Sequence, residues 1–375
     1  MNFIDTKNAA KLVLATGEVP LIVGESGIGK TALAKEIAKE NSWSLIVIDG
    51  NLLKEGEIGG LPTVEEYTTI DKDGNEIVKK TTIYAIHHKL KEIDKELALG
   101  NTVLLFIDEI NRCEHTVQQE LMNLILNKEI NGYELNEDVK ILAAMNPSSK
   151  YGSDYDYQVI DMDAAQENRF VWLGMEADAM QWIGWAIDSG LDSKIIEFIS
   201  TFPEYLHKIN DDSIRATPRS YERISKVYKL YQQQKDVVSR LVFLNVLKGN
   251  VGKMIAEELI LFLEADHLPL LQFEDVFEEG TDTKEIAQRI QKESHSRLYL
   301  SGKNILRALD RYLERDNSQT EYYVNRLVLF LKEYPIDLRI GIMKDIKSNY
   351  LHVYQYAIET EAFVDLYFDA FNLVN

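Results

Sequence analysis

Short apolar runs alternate with helical periodicities through the first half of the chain. Leu21, Ile22 and Val23 form the first run; SLIVID over 44–49, TVLLFID over 102–108, VKILAAMN over 139–146 and FVWL over 170–173 follow. Continuous apolar runs of this length suit strands buried on both faces. Between them, apolar residues recur every three to four positions. In 31–41 (TALAKEIAKEN), Leu33, Ala34, Ile37 and Ala38 share one helical face; in 116–127 (TVQQELMNLILN), Val117, Leu121, Leu124 and Ile125 do the same. Strands alternating with helices predict an α/β fold built on a doubly wound parallel sheet.

One stretch breaks the rhythm. Residues 66–70 and 77–83 are rich in Thr, Val and Ile and flank Lys72-Asp73-Gly74-Asn75. Asp-Gly between such runs predicts a β-hairpin, inserted at about 60–85. From about residue 175 the strands stop. Helices are expected over 177–189 and 193–201, with Trp182, Trp185 and Ile187 as core candidates. Thr217-Pro218 then marks a helix start, because Thr suits the N-cap and Pro the first helical position. A helix pair around 249–252 follows within 236–265. The acidic stretches 157–163 and 273–282 read as loop and turn, and 304–314, 321–333, 337–357 and 361–373 as amphipathic helices. The expected organisation is an α/β domain over 1–174, a helical part over 175–265 and a helical C-terminal extension over 266–375.

Composition changes the picture in three places. The chain has 375 residues, 45% of them hydrophobic, and a formal net charge of −20. That field works against broad binding to DNA or to an anionic membrane, although a local basic patch remains open. The single cysteine, Cys113, allows no intrachain disulfide and fits a reducing compartment. No signal-peptide layout and no run of about 18 apolar residues is present, so a cytoplasmic protein with no membrane span is expected.

The chemistry begins at residues 24–31, GESGIGKT, which satisfy G-x-x-x-x-G-K-[ST] at every fixed position. Gly24, Glu25, Ser26, Gly27, Ile28 and Gly29 present backbone N–H groups to phosphate oxygens. Lys30 is expected to reach the β- and γ-phosphates, and the hydroxyl of Thr31 to hold Mg²⁺. A strand leads into the loop and a helix leaves it, so the phosphates would sit at a helix N-terminus. VLLFIDE over 103–109 is an apolar strand ending in two carboxylates. Asp108 is placed to hold Mg²⁺ through water, and Glu109 to act as general base. Asn146 ends the next strand and can reach the lytic water and the γ-phosphate. Arg169 precedes the last strand, and Arg219 lies in the first turn of the helix after Thr217.

Five motifs then fall in one order: residues 24–31, IDEINR at 107–112, AMNP at 144–147, AQENRF at 165–170 and TPRS at 217–220. Together they resemble the AAA+ ATPases, and within them the MoxR-like branch, over about residues 1–265. The resemblance implies a five-stranded parallel sheet of order 5-1-4-3-2, followed by an all-α lid and here by the helical C-terminal extension. It gives Asn146 the sensor 1 role, Arg169 the arginine-finger role and Arg219 the sensor 2 role. It also implies a homo-oligomeric ring, usually a hexamer, and a von Willebrand factor A-domain partner protein. The hairpin near Asp73-Gly74 looks like the helix-2 insert of this clade. Two departures stand out: Glu25, Ser26 and Ile28 replace the commoner Pro, Pro and Thr, and Glu167-Asn168 replaces Leu-Asp before Arg169.

The expected activity is hydrolysis of ATP with Mg²⁺, coupled to remodelling of protein complexes. A DNA-directed AAA+ motor of restriction or replication type, and a nucleotide-gated scaffold with little turnover, are the alternatives. The extension reads as a ring collar, a docking surface or an enlarged lid.

Overall fold

The computed structural model describes residues 1–147, 162–210, 214–265, 269–278, 280, 283–315 and 318–372. They fall into two compact units, Met1–Gln181 with Thr217–Ser220, and Trp182–Ala216 with Tyr221–Asn375.

The first unit opens with α1 (Phe3–Ala15), β1 (Pro20–Val23), α2 (Lys30–Glu40) and β2 (Ser44–Asp49). A hairpin of β3 (Pro62–Ile70) and β4 (Glu76–Tyr84) precedes α3 (His88–Ala98), β5 (Val103–Asp108) and α4 (His115–Leu126). The short pair β6 (Glu129–Ile130) and β7 (Tyr133–Glu134) leads to β8 (Lys140–Met145), α5 (Ala164–Glu167) and β9 (Val171–Gly174). Five strands form one parallel sheet in the order β2-β5-β8-β1-β9. Counting only those five, this is the expected 5-1-4-3-2 order read from the opposite edge.

Side chains alternate across a strand, so each apolar run feeds two cores. Leu21, Leu105, Ile107, Ala143 and Met145 pack with Leu90 and Ile93 of α3 and Val117 and Leu121 of α4. Their neighbours Ile22, Leu104, Phe106, Leu142 and Ala144 pack with Ala10 and Leu14 of α1 and Leu33 and Ile37 of α2. Each large side chain buried this way contributes roughly 1.5–3 kcal/mol. Anchored on both faces, β1, β5 and β8 hold their C-terminal ends side by side, where Gly24, Asp108 and Asn146 emerge.

The hairpin runs in register from Pro62 opposite Tyr84 to Ile70 opposite Glu76. Asp71 closes it, its Oδ1 accepting from the amides of Asp73 (2.9 Å) and Asn75 (2.8 Å), while Gly74 supplies a φ of +86°. Nearly all of β3 and β4 is exposed.

The second unit is helical, with one short strand pair, β10 (Lys208–Ile209) and β11 (Arg215–Ala216). Helix α6 (Ala179–Asp188) leads into it, and α7 (Ser193–Thr201), α8 (Pro218–Gln233), α9 (Arg240–Val251) and α10 (Lys253–Glu264) follow. Then come α11 (Phe273–Phe277), α12 (Thr283–Ile290), α13 (His295–Arg315), α14 (Thr320–Lys332), α15 (Ile336–Asn349), α16 (Leu351–Ala357) and α17 (Glu361–Asn372). Residues on both sides of position 265 thus belong to one unit. Arg297 of α13 joins them: its guanidinium donates to Glu197 of α7 and to Glu293, each at 2.5 Å, and all three side chains are nearly buried. Arg307 adds a second tie, donating to the carbonyls of Ile187 and Asp188 at the end of α6.

Several local expectations differ from the structure. Trp185 is 44% exposed, because the buried face of α6 runs through Trp182, Ile183, Ala186 and Ile187. Part of the acidic 273–282 stretch is helix α11, capped by reciprocal bonds between Gln272 and Asp275, with Val276 and Phe277 buried. The helix expected over 304–314 is the C-terminal half of α13, and α12 precedes it. The 337–357 helix breaks at Tyr350, whose ψ of 73° is not helical. Most of the 157–163 loop and residues 279, 281 and 282 lie outside the described residues. Among the described residues, no helix is long and apolar enough to cross a membrane.

Candidate functional site

β1 delivers the chain to Gly24, whose amide donates to the carbonyl of Met145 on neighbouring β8. A side chain is excluded there, since a Cβ would lie 2.6 Å from Ile28 Cδ1 and 2.7 Å from the Met175 carbonyl oxygen. Gly27 has a φ of +83° and approaches Thr217, where a Cβ would come within 2.9 Å of the hydroxyl. The loop thus packs onto the start of α8, where the amide of Ser220 donates to Thr217 Oγ1 at 3.3 Å.

Lys30 begins α2 and is 7% exposed. Its ammonium donates to the carbonyls of Gly24 (2.6 Å) and Glu25 (3.0 Å) and to Asn146 Oδ1 (2.9 Å). All three N–H groups are therefore engaged. Burial pushes its pKa down to about 8, against the pull of Asp108, Glu109 and Glu25; the positive charge of Arg219 adds to the fall. Lys30 is a desolvated cation waiting beside a loop of N–H groups, the electrostatic setting a polyphosphate would satisfy.

Asn146 is buried at the tip of β8. A lysine can only donate, so the amide oxygen faces Lys30 and Nδ2 must face elsewhere. Among the described residues Nδ2 has no partner. A buried donor without an acceptor is costly and calls for an explanation. The backbone carbonyl of Asn146 accepts from Nδ2 of Asn111 at 2.8 Å, and Asn111 is itself 2% exposed. The two asparagines thus tie the end of β8 to the turn after β5.

Thr31 Oγ1 donates to Asp108 Oδ2 at 2.7 Å, and the other oxygen of Asp108 accepts from the amide of Glu109 at 3.0 Å. A hydroxyl beside a carboxylate is a hard oxygen pair suited to Mg²⁺, which takes few protein ligands and completes its shell with water and phosphate. Among the described residues no group of three or more His, Cys, Asp or Glu side chains could hold a metal alone. The donor set fits an ion that arrives with phosphate oxygens.

Glu109 has a φ of +52°, and its carboxylate pairs with Arg112 at 3.0 Å. Asp49 ends β2 in register with Asp108. Burial and the negative charge of Asp108 raise its carboxyl pKa, against the amide of Asn51 and the charge of Arg112.

The structure therefore brings together Lys30, Thr31, Asp108 and Asn146, with Glu109 and Arg219 within their electrostatic reach. Arg219 is exposed in the first turn of α8. Arg169 is exposed after α5 and bonded to none of these site residues. Asn111, Arg112 and Asp49 were not singled out from the sequence. Two apolar strands both ending in Ile-Asp, adjacent and parallel, would have flagged Asp49.

A phosphate loop between β1 and α2, a polar residue at the end of β8 and a sheet of this order define a P-loop domain of the AAA+ type. Residues 20–154 match the family model described as "ATPase family associated with various cellular activities (AAA)". No curated protein matches it. Among solved structures, the Thermotoga maritima RuvB Holliday junction branch migration motor aligns at 17% identity, over 86% of this chain and 85% of its own, with a TM-score of 0.34. NtrX from Brucella abortus in complex with ADP aligns at 12% identity, over 86% of this chain and 67% of its own, with a TM-score of 0.40. A putative ATPase from Cytophaga hutchinsonii aligns at 16% identity, over 71% and 94%, with a TM-score of 0.31.

Proposed function

We propose that the chain binds Mg-ATP at residues 24–31 and hydrolyses it as one subunit of a homo-oligomeric ring, in the manner of a MoxR-like remodeller of protein complexes. The observation that carries the reading is the buried Lys30–Asn146–Asn111 chain of hydrogen bonds beside the Thr31–Asp108 pair.

Lys30 exchanges the carbonyls of Gly24 and Glu25 for β- and γ-phosphate oxygens while Asn146 Oδ1 keeps it aimed. Asn146 Nδ2 donates to the γ-phosphate or to the attacking water. Glu109 accepts the proton of that water as its oxygen bonds to the γ-phosphorus and the bond to the bridging oxygen breaks, with ADP as the leaving group. Mg²⁺ would be held by Thr31 and, through water, by Asp108, and supplies positive charge against the phosphate oxygens. Arg219 acts on the γ-phosphate of its own subunit, and Arg169 reaches that of the neighbour. The exposure of both arginines supports roles that wait for a ligand or a second subunit.

The β3–β4 hairpin before α3 supports the MoxR-like branch, and with it a von Willebrand factor A-domain partner. In this reading residues 175–265 work as the lid, and residues 266–375 as collar, docking surface or part of the lid. A DNA-directed motor would have to overcome a formal charge of −20.

Lys30→Ala should lose ATP affinity severely, because it deletes a ground-state phosphate contact. Glu109→Gln should bind ATP nearly as the wild type and stop turnover, because only the base is lost. Nucleotide titrations beside phosphate-release assays separate the two. Robust hydrolysis by Glu109→Gln would overturn the assignment of the base.

A further inference from the structure

The helical unit holds a cavity of about 320 Å³ that the proposed ATP chemistry does not use. Residues from the start of α7, the end of α8, α9 and the end of α10 line it. Buried Phe243, Ile260 and Leu263 make much of that lining apolar. Tyr231 lies flat on Phe243, with ring centroids 4.1 Å apart and planes 4° from parallel, and Tyr228 flanks the same ring at 5.9 Å. Stacked aromatic rings beside aliphatic side chains suit the flat body of an apolar molecule.

The polar part of the lining is cationic. Lys194, in the first turn of α7, donates to the carbonyl of Leu263 at 2.9 Å, which fixes its ammonium at the last turn of α10. Two of its three N–H groups remain without a partner among the described residues. Lys235, just beyond α8, forms no hydrogen bond or ion pair among the described residues. The carboxylate on the cavity, Glu264, is already held through both oxygens by Arg240, at 2.6 and 2.9 Å. Asp192, the N-cap of α7, accepts from the Lys194 amide at 3.0 Å and not from its ammonium. In a chain of formal charge −20, two lysines at one apolar cavity with no carboxylate of their own favour an anion there.

We propose that this cavity binds a small aromatic carboxylate, its ring against Tyr231 and Phe243 and its carboxylate between Lys194 and Lys235. Ring and charge are recognised by different residues, so an aromatic without the charge, or an acid without the ring, binds more weakly. The volume lies at the small end of ligand cavities, which limits the body to about two rings.

The probe is naphthalene-2-carboxylate, titrated calorimetrically into the full chain at low salt. Saturable binding of one molecule per chain is expected. 2-Naphthylmethanol, which keeps the rings and lacks the charge, should bind about tenfold to a hundredfold more weakly, the factor that hydrogen bonds to charged groups supply. Acetate at the same concentration should give no heat of binding. Lys194→Met should weaken the naphthoate by the same factor, and Lys235→Glu by about fivefold or more, since it adds repulsion to the lost attraction. Tyr231→Ala should weaken both naphthyl probes. ATP should not displace the naphthoate, which separates this cavity from the phosphate loop.

Circular dichroism and thermal unfolding accompany each variant. Lys194 also caps α10, so the exposed Lys235 decides the matter if Lys194→Met fails to fold. The proposal falls if the naphthoate shows no saturable binding up to about 10 mM. It falls equally if 2-naphthylmethanol binds as tightly, if folded Lys235→Glu binds the naphthoate like the wild type, or if ATP displaces it.

Discussion

Asn146→Ala separates stability from catalysis. The substitution deletes the Oδ1 acceptor of Lys30, a hydrogen bond to a charged group worth about 1.5–3 kcal/mol. It also deletes Nδ2, a buried donor with no described partner, whose burial costs about 1–3 kcal/mol. The two effects oppose each other. Lys30 keeps the carbonyls of Gly24 and Glu25, and the Asn146 backbone carbonyl still accepts from Asn111. Unfolding free energy should therefore change by no more than about 1 kcal/mol. Turnover is different, because in the proposed mechanism the orphaned donor takes the γ-phosphate or the attacking water as its acceptor. Removing a donor of this kind costs about 10²–10³ in kcat where it faces developing charge, and somewhat less where it only orients water. Urea unfolding gives the first quantity, and phosphate release at saturating ATP the second. A loss of more than about 2 kcal/mol in stability with kcat intact would refute the reasoning and make Asn146 a purely structural tie.

The remaining predictions concern Lys30 and the ring. Lys30 has a folded pKa of about 8, below its unfolded value, so its burial costs stability in full below pH 8 and the cost is relieved as pH rises toward 10.5. Wild type should gain roughly 2 kcal/mol relative to Lys30→Met between pH 7.5 and 9.5 in urea unfolding. Parallel curves would show that Lys30 is not desolvated. Arg169→Ala should bind ATP and hydrolyse it poorly, since arginine fingers supply about 10³–10⁵ in rate. Mixing it with Glu109→Gln should recover part of the activity at interfaces that join an intact Arg169 to an intact Glu109. Full wild-type activity in a dilute monomer, with mixtures that stay inactive, would remove the trans role.

The parts of the site that follow from chain connectivity were legible in the sequence. Residues 24–31 announce themselves because the phosphate loop uses contiguous backbone. Asp108 and Asn146 could be placed because apolar runs show where strands end. What escaped was contact between segments. That Asn111 grips the Asn146 carbonyl depends on β5 and β8 lying side by side with the turn after β5 folded back. The Arg112–Glu109 pair depends on a left-handed residue, which no propensity predicts for glutamate. The fold shows the same division. The hairpin was marked by its own Asp-Gly turn, whereas Trp185, a core candidate by its residue type, lies off the packed face of α6, which runs through Trp182, Ile183, Ala186 and Ile187. The break at Tyr350 has no breaker residue to announce it and emerges only from packing.

The Glu197–Arg297–Glu293 cluster makes α7 and α13 a single mechanical member. Helix α13 has 21 residues, so it extends about 30 Å at 1.5 Å per residue. A 10° rotation of α7 would sweep its far end through roughly 5 Å, close to one helical pitch. Trimming the chain near residue 265 would leave the nearly buried carboxylate of Glu197 without its guanidinium, a loss that breaking a buried pair makes costly.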